Sequence, residues 1–448
     1  MANYTFETIT AAQALSVGSE DSLTITSGSG RTTTVIFQQD GTFAVTIADR
    51  TVVFGSQFQF LNGSRLRYPD NSELYIGGAG ADVRDFGNIP TAGGGAYGGA
   101  GDDTLSTSPA AWLVQGNQGS DVITARAGWS NTIYGGQDND RISFLLSAAD
   151  QPQFVQGNRG NDNIQGAFGG DTLLGGQGLD QINGGGGRDF INGNLGDDII
   201  TGAGTLLGEG GNDTISVGDD STASGGEGDD HITISLPSGA IPPMTVVHGD
   251  AGNDTLVATT GPRDQLYGDD GNDRIAIIQD SSFGAVSLGK LLDGGVGDDT
   301  LIARGGEDTL LGGDGSDSLS GGDSADRIVG GAGPDTLAGG AGADRFELTS
   351  TTTLLTDAGA DRILDWSSED RLVFRGPGQP YSETTATDFA SALTAAQGLI
   401  SGGAAEVVAV QVGADVIVFA DASAGTSVDV AAMLVGRTLA DISGANIG

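Results

Sequence analysis

The 448-residue sequence has no cysteine and only two histidines, three methionines and three tryptophans. Without thiols there are no disulfides and no thiolate metal sites, which removes iron–sulfur and zinc–cysteine chemistry. Basic residues are scarce too: 19 Lys and Arg stand against 59 Asp and Glu, a formal charge of −40. That charge repels phosphate backbones and anionic lipid, so nucleic acid is excluded as a partner and cations, metal ions first, are expected. No run of 18 apolar residues could span a bilayer, so no membrane insertion is expected. The start, Met1-Ala-Asn-Tyr-Thr-Phe-Glu7, lacks a basic residue followed by an apolar run, so no Sec-type signal peptide is expected either.

What the sequence has in excess is glycine, 79 residues, with only 11 prolines and no collagen-like triplet. The excess is ordered. Residues 294 to 347 divide without remainder into six nonapeptides, GGVGDDTLI to GGAGADRFE, and residues 157 to 201 into five, GNRGNDNIQ to GNLGDDIIT. Single copies begin at Gly77, Gly98, Gly116, Gly135, Gly208, Gly225, Gly249 and Gly268, which brings the total to 19. The consensus is Gly-Gly-x-Gly-x-Asp-x-U-x, with U large and apolar. Glycines allow a tight turn whose carbonyls converge, the position-six Asp adds a carboxylate, and such an oxygen set suits Ca²⁺ with its six to eight ligands. The apolar residue two places later points inward from a short strand. Departures are few. Arg84 replaces U in the first copy, Ala303 the first glycine of another, and Asp138 and Ser324 the glycine at position four.

This repeat resembles the RTX (repeats-in-toxin) calcium-binding β-roll family. The resemblance covers residues 77–347 and implies that two nonapeptides form one coil of a parallel β-roll, with multiple Ca²⁺ held along its sides. The metal-ligand candidates fall into two sets. Asp103, Asp121, Asp140, Asp162, Asp180, Asp198, Asp213, Asp230, Asp254, Asp273, Asp299, Asp317 and Asp335, preceded by Asp82, are mostly 17 to 22 residues apart and predict one ladder. Asp171, Asp189, Asp308, Asp326 and Asp344 fall on the opposite side. There most coils lack the motif but keep an apolar strand, such as Trp112-Leu-Val, Phe154-Val or Gln265-Leu-Tyr. Variable loops are expected at 107–111, 125–130, 144–153, 234–244, 258–264 and 277–290. Their aromatics and prolines, including Trp112, Trp129, Phe144, Phe154, Pro237, Pro242, Pro243 and Phe283, would suggest a contact surface if they lined one face.

The expected fold class is therefore all-β: a parallel β-roll flanked by an N-terminal antiparallel β cap and a C-terminal, mostly-β domain with one helix. Residues 1–76 alternate around an Asp40-Gly41 turn and read as the cap. Residues 77–347 are the roll. Residues 348–448 read as a capping and secretion-signal region, with a helix opened by Asp388, strands at 406–412 and 415–420, and an ending that resembles a type I secretion signal.

Enzyme chemistry finds no support in the inventory. His231 and His248 cannot supply a His-Glu-x-x-His helix, and no Gly-x-Ser-x-Gly elbow occurs. The expectation is a secreted calcium-binding structural protein, not an enzyme, exported by a type I system to the extracellular space or cell surface. It would fold on calcium and self-assemble as a homo-oligomer or polymer in a surface layer, filament or biofilm matrix, with cell-surface polysaccharide as a further partner. Alternatives are a monomeric adhesin for glycan or another cell surface, and a toxin or enzyme.

Overall fold

The computed structural model describes residues 2–17, 22–29, 32–38, 42–55, 66–70, 72–87, 93–145, 151–234, 244–259, 263–278, 289–348, 355–374, 379–422 and 427–447. The chain is an all-β parallel solenoid forming two compact units, residues 1–214 and 215–448.

Coiling follows from the repeat itself. The residue after each position-six Asp opens a strand in which the apolar side chain faces inward and its neighbours outward. The strand Thr172–Gln177 shows the resulting alternation of buried and partly exposed residues. In the first unit one parallel sheet runs from Glu73–Ile76 through Gly94–Ala100, Trp112–Gln118, Thr132–Gln137, Phe154–Arg159, Thr172–Gln177 and Asp189–Leu195 to Gly204–Gly210. A second runs from Val83–Asp85 through Thr104–Ser106, Val122–Arg126, Arg141–Leu145, Asn163–Gln165 and Gln181–Asn183 to Ile199–Gly202. Register places like on like: Leu173 stacks on Ile191 and Ile164 on Ile182, all buried. Position-six residues preceding the two sheets lie on opposite sides of the coil.

The N-terminal region contains the expected antiparallel sheet, Thr34–Phe37, Phe43–Ile47 and Arg50–Phe54. The Asp40-Gly41 turn lies outside the described residues. Two features were not anticipated: a short helix, Ala11–Leu15, capped by Thr10, and a parallel trio, Asn3–Thr5, Ser22–Thr24 and Leu66–Arg67. Phe6, Val35, Phe43 and Phe54 pack with Leu74 and Tyr97, which joins this region to the first coils.

The second unit has two parallel sheets of its own strands, from Thr222–Glu227 to Arg371–Val373 and from His231–Ile234 to Asp361–Ile363. Coil geometry thus continues past residue 347, because Asp361–Ile363 and Arg371–Val373 pair in parallel with Thr336–Ala341 and Arg345–Glu347. The helix Phe389–Ser401 starts at Asp388, whose side chain accepts from the Ser391 amide. It packs on antiparallel strands Val407–Val412, Asp415–Ala420 and Val430–Leu434. The last of these pairs with Asp361–Ile363. Among the described residues no helix is long and apolar enough to cross a membrane.

Candidate calcium ladders

All 18 candidate aspartates are buried, none more than 4% exposed. Each sits where the turn enters a strand, and the side chain does not point to solvent but along the solenoid axis. In the first unit the Asp103 amide donates to Asp121 Oδ1, and the pattern repeats through Asp140, Asp162, Asp180 and Asp198 to Asp213 at 2.7–2.9 Å. In the second unit it runs from Asp230 through Asp254, Asp273, Asp299 and Asp317 to Asp335. One carboxylate oxygen of each rung therefore satisfies the backbone of the preceding coil.

The second oxygen is what marks the site. Oδ2 of Asp103, Asp121, Asp140, Asp162, Asp180, Asp198, Asp254, Asp273, Asp299, Asp317, Asp326, Asp335 and Asp344 is buried with no hydrogen-bond partner among the described residues. A buried polar oxygen left unmatched costs about 1–3 kcal/mol, and more when charged. Burial accordingly pushes these carboxyls up, to about 6 for Asp180, 7 for Asp162 and Asp198, and 8 for Asp140, Asp326 and Asp335. Neighbouring carboxylates add to the shift at Asp140 and Asp326. Such an oxygen calls for a proton or a cation.

The turn supplies the rest of a hard-cation donor set. A Cβ built on Gly175 would lie 2.3 Å from Asp180 Oδ2, so the first glycine of the repeat leaves room for the carboxylate. At Gly176 (φ +130°) and Gly178 (φ +133°) it would lie 2.1 Å from the carbonyl oxygens of Asn158 and Gly160 in the preceding coil. These carbonyls thus face the gap between coils beside the carboxylates. An all-oxygen lining with an orphaned carboxylate oxygen at each of those thirteen aspartates fits Ca²⁺. Asp138 and Ser324 hold φ of 70° and 90°, the left-handed conformation of the glycine each replaces.

On the opposite side the ladder is longer than the motif. Asp171 accepts from the Gln153 amide and Asp189 from Asp171, while upstream the rungs are neutral: Asn131 accepts from Trp112, and Gln153 from Asn131. In the second unit Asp308, Asp326 and Asp344 are joined by three buried aspartates that the consensus missed. Asp264 accepts from Thr245, Asp370 from Asp344 and, on the first side, Asp361 from Asp335. One rung is a buried cation, Lys290, whose amide donates to Asp308 and whose charge lowers Asp264 and Asp326 against the upward pull of burial. All these rungs keep the pattern x-x-U, as in Asp264-Gln-Leu266, Lys290-Leu-Leu292 and Asp361-Arg-Ile363.

A second, exposed ladder lies beside the first. Position-five side chains reach forward one coil: Asp102 accepts from the Ser120 amide, Asn139 from Asn161, Asn161 from Leu179 and Asp197 from Asn212. Position six reaches back and position five forward, so neighbouring coils clasp each other from both directions.

Among the described residues the aromatics do not line one exposed face. Trp112 and Phe144 are buried, and Phe154 packs on Tyr134; of the four described members only Trp129 is exposed. Pro237, Pro242, Pro243 and Phe283 lie outside the described residues. His248 stacks on Tyr267 and bonds Asp269 at 2.8 Å on a partly exposed stretch of sheet, near enough to the first ladder that Asp269 adds to the upward shift of Asp273.

Comparison with known proteins identifies the repeats. The model of the RTX calcium-binding nonapeptide repeat (4 copies) matches residues 96–108, 113–142, 153–182, 174–205, 248–276, 291–319 and 320–350. Among solved structures the chain is similar to the extracellular lipase LipA from Serratia marcescens, at 14% identity over 73% of this chain, with a TM-score of 0.17. The match spans 39% of the lipase chain. No curated protein matches the sequence.

Proposed function

Since its repeat region belongs to the RTX calcium-binding nonapeptide family, we propose that this chain is a secreted structural protein whose folding is driven by calcium and whose folded form associates with copies of itself. The repeats are calcium-binding repeats. The observation that carries the reading is the pair of buried ladders, in which thirteen aspartates, among them Asp121, Asp180, Asp299 and Asp344, present a carboxylate oxygen that no described residue matches. When bound, the ion supplies positive charge between coils. The chain's own residues do the rest: Oδ1 fixes the register of adjacent coils, the first glycine makes room for the carboxylate, and the inward Leu and Ile column excludes water. The position-six aspartates are the proposed ligands. Several ions, one or more to each run of coils, would be held.

Extracellular calcium modules bind at roughly 10⁻⁴ to 10⁻³ M. Such a chain stays unfolded where calcium is scarce and folds after export, which suits a type I route. Carrying no recognisable catalytic constellation, the chain is proposed to act as a scaffold and not as an enzyme. Self-association is supported by two features. Charge near −40 keeps copies apart until bound ions offset it. Leu179 and Leu195, on adjoining turns of one side of the coil, are each more than 50% exposed, which leaves large apolar side chains together at the surface. Light scattering and electron microscopy at millimolar calcium test it. Filaments or sheets that disappear in the double variant Leu179→Ser/Leu195→Ser are expected; monodisperse monomers at high concentration, with the roll folded, would contradict association.

A further inference from the structure

A cleft of about 950 Å³ lies in the first unit between the N-terminal antiparallel sheet and the outer face of the first coils. Ile36 of the strand Thr34–Phe37 overhangs it, while Gln115, Gln118, Tyr134, Gln137 and Arg159 project into it from three successive strands. In a chain with 59 acidic residues, no carboxylate is among the described residues that line this cleft. The groups it does present are side-chain amides, a phenol and one guanidinium. Equally telling is what its polar groups do not do. The side-chain amides of Gln115, Gln118 and Gln137, the Tyr134 hydroxyl and the Arg159 guanidinium make no hydrogen bond or ion pair among the described residues, whereas Tyr97, covered next to them, donates to the Thr33 carbonyl.

Register arranges these groups regularly. Gln115 pairs with Tyr134 and Gln118 with Gln137, so side chains recur about every 4.8 Å along the coils. A repeating row of amides, each offering donor and acceptor together, matches a repeating chain of hydroxyls better than a single small molecule. The Tyr134 ring is braced by Phe154, ring centroids 5.7 Å apart, and offers an amphipathic surface to the apolar face of a sugar ring. Nucleic acid does not fit, since one arginine cannot offset the repulsion of a body near −40.

We propose that this cleft binds a carbohydrate chain, with hydroxyls on Gln115, Gln118 and Gln137, a ring face on Tyr134, and the carboxylate of an acidic sugar unit, where present, on Arg159. The site does not depend on self-association, and it belongs to folded coils, so it exists only with calcium. Isothermal titration of the full chain at millimolar calcium with a neutral glucose oligomer and a glucuronate oligomer of equal length tests it. Expected are dissociation constants of about 1 mM or tighter for both, with the uronate a few-fold tighter. Tyr134→Ala/Gln137→Ala should weaken both about tenfold or more, and Arg159→Gln should remove the preference for uronate, while the calcium midpoint of folding stays at the wild-type value. No heat from either oligomer at about 10 mM, or unchanged binding by the double variant, would overturn the assignment. The calcium midpoint, read separately by circular dichroism, distinguishes that failure from a roll that does not fold.

Discussion

Replacing Asp180 tests the ladder at its most regular stretch. Its Oδ1 takes the amide of Asp162 at 2.7 Å, its own amide goes to Asp198 Oδ1 at 2.7 Å, and its Oδ2 is the orphaned oxygen. Alanine removes both oxygens and strands a buried N–H, which costs about 1–3 kcal/mol before any loss of ion binding. Asparagine keeps an acceptor for that N–H and loses only the charge. Linkage converts the cost into calcium: each ion taken up in the folding transition contributes about 1.4 kcal/mol per tenfold change in concentration. A loss of about 2 kcal/mol therefore moves the midpoint by about 1.4 decades if one ion is linked, and by about a third of a decade if four are. Circular dichroism during calcium titration of wild type, Asp180→Asn and Asp180→Ala is the assay. The midpoint should rise in both variants, more in alanine, while in chelator Asp180→Asn should be no less stable than wild type. An Asp180→Ala midpoint equal to that of wild type would refute the reasoning.

Acid should partly replace calcium. Burial raises Asp140, Asp162, Asp198, Asp326 and Asp335 to about 7–8, so the calcium-free fold takes up protons. Stability from these groups is present in acid and lost as pH rises through that range. In chelator, β structure should grow as pH falls from 8 to 5, and a flat profile by circular dichroism would count against it. Lys290→Met, which removes a buried cation near Asp264 and Asp326, should destabilise the second unit by about 3 kcal/mol in chemical denaturation, even at saturating calcium. Gly176→Asn should cost about 1–3 kcal/mol and Gly176→Val more, because a Cβ would meet the Asn158 carbonyl unless the backbone relaxes from φ +130° toward the 76–85° that Asn158 and Asn194 hold at the same register, which asparagine tolerates and valine does not. Thermal unfolding at fixed calcium separates the two.

Glycine spacing and D-x-U made the coil, the inward column and the two sides readable before any coordinates, because each depends on local backbone and on a period of nine. Asp264, Asp361 and Asp370 escaped because the glycine signature is absent ahead of them, although the ladder needs only a side-chain oxygen two residues before an inward apolar residue. The spacing from Asp335 to Asp361 and from Asp344 to Asp370, 26 residues in each case, was a signal that could have found them. Asn131, Gln153 and Lys290 escaped for a different reason: a search for calcium ligands looks for carboxylates, while the structural task of the rung, accepting or offering a hydrogen bond between coils, is met by an amide or by backbone alone. Trp112 and Phe144 read as loop aromatics, yet each lies on a strand two residues from an inward apolar residue, Val114 and Ile142, so it is the two-residue alternation of the strand that buries them. The carbohydrate cleft needed the N-terminal sheet placed on the coils and was not legible at all.

The central claim is that calcium and the folded roll form one equilibrium, because thirteen buried ladder aspartates each keep a carboxylate oxygen that no described residue matches. Far-ultraviolet circular dichroism of the purified chain at pH 7.5, first in excess chelator and then through a calcium titration with magnesium as the control, tests this most directly. The account predicts an unfolded spectrum in chelator, a cooperative gain of β structure at roughly 10⁻⁴ to 10⁻³ M calcium, and none at equal magnesium. A full β spectrum retained in chelator would contradict it.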